Sequence, residues 1–326
     1  MRWKRTLVGV LLAAAIFWLL LRRADPQQVW AGLRLADWPL LLLVQAFGCG
    51  SIFLKGQRWS WAIGAGGEER PRRHLFSATV IGTAANMILP ARLGDLLRAW
   101  VMRKHNAIPA TRALLASWSA QAFDVLAVAV LLLVAAFAGQ GLASQRVLWL
   151  LLVGIVCGAA GAGLLARRPE LLTRWAARLP RAWRGPAGEF IAHAAGGLRF
   201  LGEPAVVLRV SLFTAAIWSL EVCGMWLALR AFHIAVGLPA AALVVAAVGL
   251  SFALPLTPGN VGTYQLIAVL VLGRFGVDNE HGVAFSLGFQ AFSLVATVAL
   301  GYVFFQREQL SLADLRAAGG TSPQAP

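Results

Sequence analysis

The feature that most constrains this chain is the recurrence of long apolar runs, such as Val125 to Ala136 (VLAVAVLLLVAA), which show neither strand alternation nor a polar helical face. Runs of roughly 16 to 30 such residues match the length a helix needs to cross a ~30 Å hydrocarbon core. The chain of 326 residues is 59% hydrophobic and 13% charged, whereas soluble domains carry roughly twice that share of charge. A soluble protein is therefore excluded. A β-barrel is excluded too, because its lipid face needs alternating segments of about ten residues. The expected fold is an all-α polytopic membrane protein.

Six segments read as full spans: 6–21, 38–62, 110–138, 147–166, 210–232 and 283–305. Arg2, Lys4 and Arg5 precede the first of these, no small-x-small cleavage site follows its apolar stretch, and Arg22 and Arg23 come at once. It is expected to be an uncleaved span. Two further apolar segments, 76–104 and 240–275, are interrupted midway, by Pro90-Ala-Arg-Leu-Gly94 and by Pro255-Leu-Thr-Pro-Gly259. Proline removes a backbone donor, so a break at membrane depth has to be buried in protein or line a wet cavity.

The distribution of positive charge chooses between single-span and re-entrant readings of these two segments. With the amino end inside and both segments re-entrant, the inside loops 1–5, 64–75, 103–107, 167–209 and 306–326 carry eighteen Lys and Arg, and the outside loops four. Single spans would export the eight arginines of 167–209. The re-entrant version is expected, with both termini cytoplasmic. Within 167–209, Leu171, Leu172, Trp175 and Leu179 share one helical face while Arg174, Arg178 and Arg181 take the other, as in a helix lying on an anionic leaflet.

Both breaks contain Leu-Pro-x-x-x-Gly, at Leu89 to Gly94 and at Leu254 to Gly259, and around each the order is span, span, interrupted segment, span. Three crossings per half is an odd number, so the halves are expected to be inverted relative to each other, as in many transporters. The first repeat covers 1–138 and the second 139–305, followed by a polar tail at 306–326.

Ionisable groups inside spans cost on the order of 2.5–3.5 kcal/mol each on insertion scales and need a partner or a task. Here they are few. Arg92, Asp95 and Arg98 follow the first break at spacing three, Asp124 lies mid-span in 110–138, and Glu221 mid-span in 210–232. Arginines offer planar donors to a lipid phosphate, with Asp95 and Asp124 holding them or meeting an amine. An ion-pair cluster that only fixes helix packing accounts for the same residues. Asn86 interrupts the first broken segment, and Thr257, Asn260, Thr263, Tyr264 and Gln265 give the second a polar but uncharged lining. Lys55 and Arg58, beside Trp59 and Trp61, are expected to snorkel to the interface as anchors.

Other chemistries lack their signatures. His74, His105, His193, His233 and His281 show no metal-ligand spacing, and the odd set Cys49, Cys157 and Cys223 lies inside apolar runs. No phosphate-cradling loop, nucleophile elbow or acidic pair is present. No cofactor, metal or enzymatic activity is expected. The basic balance of 29 Lys and Arg against 14 Asp and Glu encodes topology and affinity for anionic lipid, not nucleic-acid binding. Membrane lipids are the expected partners.

The stretch Asn86-Met-Ile-Leu-Pro-Ala-Arg92-Leu-Gly94-Asp95-Leu-Leu-Arg98, with Ala113-Leu-Leu-Ala-Ser117, Asp124, Arg58-Trp59 and Leu254 to Gly262, resembles the flippase-like transmembrane region of lysylphosphatidylglycerol synthases. That family includes free-standing members of about this length. The resemblance covers nearly the whole chain and implies movement of anionic phospholipids or lipid-linked headgroups across a bacterial or archaeal cytoplasmic membrane. It does not imply aminoacyl transfer, which belongs to the family's synthase domain. A membrane partner of a lipid-synthesising enzyme, or a transferase on lipid-linked sugars, are the alternatives. Asn260, Gln265 and Gln121 stand where the family commonly has glycine, glutamate and arginine, so its ion coupling and headgroup preference do not carry over directly.

Overall fold

The structure is a computed structural model that describes residues 25–67, 69–89, 92–135, 153–154, 199–253 and 260–310. The expected spans 6–21 and 147–166, the amphipathic face at 171–181, Pro90, Leu254 to Gly259 with Thr257, and most of the tail lie outside the described residues. The described part is helical: α1 Pro26–Leu35, α2 Trp38–Ile63, α3 Leu75–Ile88, α4 Leu93–Asn106, α5 Ala110–Ala135, α6 Pro204–Ala231, α7 Leu238–Ala253, α8 Thr263–Gly273 and α9 Asn279–Arg307. Among the described residues four helices, α2, α5, α6 and α9, are long and apolar enough to cross a membrane. All four coincide with spans expected from the sequence. The chain is a multi-pass helical membrane protein.

Helix ends depart from the hydropathy boundaries for a simple reason. Hydropathy sees only the apolar middle, whereas α6 begins at Pro204, six residues before Val210, and α9 begins behind the N-cap Asp278. Burial works against ionisation of Asp278, but the backbone and side-chain hydrogen bonds from His281 outweigh it and hold the carboxyl below its usual range. Helix α1 falls in the loop expected at 22–37. Asp25 caps it by accepting from Gln27 N at 2.9 Å, and Pro26 suits its first turn. Its buried Val29 packs on Val283 and Ala284 of α9.

Helices α2 and α6 form the central antiparallel pair. Asp37 N donates to Ala231 O at 2.8 Å at one end, and Gly66 N donates to Glu203 Oε1 at 2.5 Å at the other. Two apolar cores occupy the two ends of this pair. One gathers the end of α2 with α3, α4, the start of α5 and the start of α6. The other gathers the start of α2, the end of α6, α7, α8 and Phe285 of α9. Helix α3 also packs on α9, and α7 on α5.

Both interrupted segments are broken helices. Between α3 and α4 the chain turns at Arg92, whose φ of 55° is left-handed; between α7 and α8 it turns at Asn260 (φ 58°) and Gly262 (φ 86°). The arms of the first break approach closely at Gly82 and Gly94. A Cβ on Gly82 would lie 2.8 Å from Gly94 O, so only glycine permits this crossing.

Candidate functional site

Four helices each carry one polar stripe at helical spacing. Ser51, Lys55 and Arg58 line α2; Ser117, Gln121 and Asp124 line α5; Thr214, Trp218 and Glu221 line α6. Each set is i, i+4, i+7, which places its members on one face. Arg92, Asp95 and Arg98 line the start of α4. The fold turns these stripes toward one another, forming a polar seam between the two apolar cores.

At the α2–α6 crossing, Lys55 Nζ donates to Glu221 Oε1 at 2.9 Å and Ser51 Oγ to the same oxygen at 2.6 Å. Just under one turn further along α2, Arg58 forms a two-pronged pair with Asp124, Nη1 to Oδ1 at 2.7 Å and Nη2 to Oδ2 at 2.8 Å. Arg58 Nη1 also donates to Thr214 Oγ1 at 2.9 Å, and Trp218 Nε1 donates to Asp124 Oδ1 at 3.0 Å. The Arg58 residue is 4% exposed. It does not snorkel: the apolar stem that suits an arginine to an interface here carries the head into a buried fork with a carboxylate. Lys55 likewise reaches across helices rather than outward. Glu221, which has no cation within a turn of its own helix, finds one on α2.

At the first break Asn86 has a structural task. Its Oδ1 accepts from Gly94 N at 2.8 Å, satisfying an orphan amide at the start of α4, and its Nδ2 donates to Asp95 Oδ1 at 3.2 Å. Asp95 is buried, and Arg92 Nε lies 3.6 Å from its Oδ2. Arg92 also donates to Gln121 Oε1 at 2.9 Å, and Gln121 Nε2 to Ser117 Oγ at 3.2 Å. The Arg98 guanidinium bonds the Ser117 hydroxyl and lies 4.6 Å over the Trp59 ring.

The sequence-based grouping of Arg92, Asp95, Arg98 and Asp124 is thus redistributed. Asp124 belongs to Arg58, and Asp95 to Arg92 and Asn86. Of the four cations in this seam, Lys55, Arg58 and Arg92 each have a carboxylate within 4 Å. Arg98 rests on a hydroxyl and an aromatic face, and its Nε has no hydrogen-bond partner. Four cations against Asp95, Asp124 and Glu221 leave one positive charge. The Arg92 side chain is 49% exposed.

The second break is uncharged. Gln265 Oε1 accepts from Gly262 N at 2.7 Å and its Nε2 bonds Gln290, while Asn260 Nδ2 donates to Ser251 Oγ at 2.5 Å. Asn260 and Gln265 therefore close the broken helix. Asn260 Oδ1 and Tyr264 Oη are buried without a partner. The described hydrogen bonds of these residues do not reach the charged seam, which meets the second broken segment at Trp218, 3.2 Å from where a Cβ on Gly249 would lie.

A family model described as lysylphosphatidylglycerol synthase TM region matches residues 6–301. The chain belongs to this family. It is also similar to a glycosyltransferase, AglD, from the archaeon Haloferax volcanii, with 26% identity over 294 residues that cover 79% of this chain and 47% of AglD. The chain spans about half the length of this curated relative. The family match falls on the membrane region, where the seam and both breaks lie.

Proposed function

We propose that this protein moves a lipid with an anionic or lipid-linked headgroup across the membrane, without covalent chemistry. The observation that carries the reading is Arg98, a cation beside the first helix break held by a hydroxyl and an indole with no carboxylate within 4 Å, six residues from the half-exposed Arg92. A structural ion-pair network inside a membrane balances its charges, since an uncompensated ion there costs several kcal/mol. A phosphate headgroup supplies the missing anion and accepts planar donors from both arginines.

The arrangement proposed for that task is an inverted repeat of six spans and two re-entrant segments, in the cytoplasmic membrane with both termini inside. The packing supports it. Helices α2, α3–α4 and α5 correspond in order to α6, α7–α8 and α9, the first arms cross over so that α3 meets α9 and α7 meets α5, and the pair α2–α6 is antiparallel. Paired broken helices near a repeat interface are where transporters of this type bind substrate.

In liposomes carrying fluorescent-headgroup phospholipids, wild-type protein is expected to expose the inner-leaflet pool to dithionite, and Arg98→Ala and Arg92→Ala to leave it protected while still inserting. Wild-type rates in both variants would overturn the reading. A second reading, a membrane subunit serving an enzyme that acts on lipid-linked sugars, draws on the similarity to a longer protein named as a glycosyltransferase. It predicts no translocation by purified protein and stable co-purification with such an enzyme.

A further inference from the structure

Three side chains spread over 234 positions of sequence converge where α9 ends. His74 Nδ1 lies 2.7 Å and His105 Nε2 3.3 Å from the same carboxylate oxygen, Glu308 Oε2. The two imidazoles stack with centroids 4.5 Å apart and planes at 15°, and the three ligand atoms fall within 4.8 Å of one another. We propose that His74, His105 and Glu308 form a binding site for a divalent transition-metal ion of the zinc class.

The donor set is the first reason. Two imidazole nitrogens and one carboxylate oxygen suit zinc and its neighbours, whereas calcium and magnesium take all-oxygen shells. Geometry is the second. Bonds of roughly 2.0–2.2 Å in a tetrahedron space the ligand atoms by about 3.4 Å; the His105–Glu308 distance of 3.3 Å is close to this, while the His74–Glu308 distance of 2.7 Å has to open and one ring of the stacked pair has to turn so that both nitrogen lone pairs aim at the ion. A cavity of about 260 Å³ bordered by His74 and Glu308, with Gln57, Arg72 and Ser77 on its wall, leaves room for water as the fourth ligand.

The backbone presents these ligands from three separate elements. His74 precedes α3 in a left-handed conformation, φ 60°, which any residue but glycine adopts at a cost. His105 sits in the last turn of α4. Glu308 follows α9, where its N–H bonds Phe304 O at 2.9 Å and the next residue's carbonyl accepts from Lys104 Nζ at 2.9 Å. An ion here ties both ends of the first broken hairpin to α9, the helix that packs along α3.

The test uses the full chain, purified in detergent through a tag without histidines, stripped with chelator and titrated with Co²⁺. Visible d–d bands saturating at about one ion per chain and displaced by Zn²⁺ are expected, together with a higher melting temperature in Zn²⁺. His105→Ala and Glu308→Gln should lose the bands, while His281→Ala, at the exposed start of α9, keeps them. A wild type that gives no bands, or a His105→Ala variant that saturates as the wild type does, overturns the proposal. X-ray absorption at the zinc edge of the wild type reads the ligand set without any substitution: two imidazoles with an oxygen support the site, and a sulfur ligand refutes it.

Discussion

Lys55 and Glu221 stand 166 residues apart and meet at 2.9 Å, and 166 residues also separate Trp38 from Pro204, the first residues of α2 and α6. On the inverted-repeat reading they are one position in two copies, facing each other across the pseudo-two-fold axis. A like residue in both copies would place two equal charges in contact inside the membrane. Opposite charges at the two equivalent positions turn that repulsion into a clamp between the halves.

The clamp predicts that its polarity is arbitrary. Lys55→Glu and Glu221→Lys should each lower the melting temperature and the yield of folded protein, because each creates a like pair beside Ser51. The double exchange should recover most of both, since it restores an opposite pair between the same two helices. Thermal unfolding in detergent of the two singles and the double reads the coupling. A double variant no better than the worse single would mean that the pair does not hold the halves together.

Arg58 and Asp124 should behave more severely. Their side chains are 5% and 25% exposed, and removing one partner of a buried pair leaves the other uncompensated, at about 3–5 kcal/mol. Arg58→Ala also removes the bond that Thr214 accepts, leaving its hydroxyl with Val210 O, and leaves Asp124 to Trp218 alone. Arg58→Met with Asp124→Leu should cost less than either single polar truncation, a comparison that thermal or denaturant unfolding in detergent makes directly.

These contacts mark where the sequence was legible. Four helices matched expected spans because lipid imposes apolar length, and both breaks were visible because proline and glycine interrupt that length. The partners of Arg58 and Glu221 were not visible, since their pairing joins residues 66 and 166 positions apart. A usable signal existed: the i, i+4, i+7 polar stripes of α2, α5 and α6 show that each helix has one polar face. Only the fold shows which faces meet. Nearness to Trp59 and Trp61 points Lys55 and Arg58 to the interface, but the stripe they share with Ser51 turns them toward Glu221 and Asp124. Helix α1 was hidden because its burial comes from α9, far along the chain.

The first break depends on two glycines. A methyl on Gly94 would collide with Gly82 O and Asn86 Oδ1, and one on Gly82 with Gly94 O and Arg98 Cβ. Backbone atoms cannot step aside as a flexible side chain does, so Gly94→Ala should cost about 3 kcal/mol, the upper end of overpacking. Gly273→Ala, with nothing within 4 Å of its added methyl, should be neutral or slightly stabilising. The melting temperatures of the two variants check the contrast.

The re-entrant reading makes a prediction about sides. His74 and His105 stack on each other although they stand before and after the first broken segment, so that segment returns to the end of the bundle where it started. Glu308 joins them, and Lys104 bonds Gln309 O. Single cysteines at Gly67, Arg103 and Gln309, in a background with Cys49, Cys157 and Cys223 replaced by alanine, should therefore react with an impermeant maleimide from one face of the membrane. Cysteines at Gln28 and Arg274 should react from the other, since α1 packs on the start of α9 and Arg274 follows α8 in the opposite core. In right-side-out cells the second pair should label and the first three only after permeabilisation. Labelling of Gly67→Cys and Arg103→Cys from opposite faces would make α3–α4 a single crossing and would invert every helix after it.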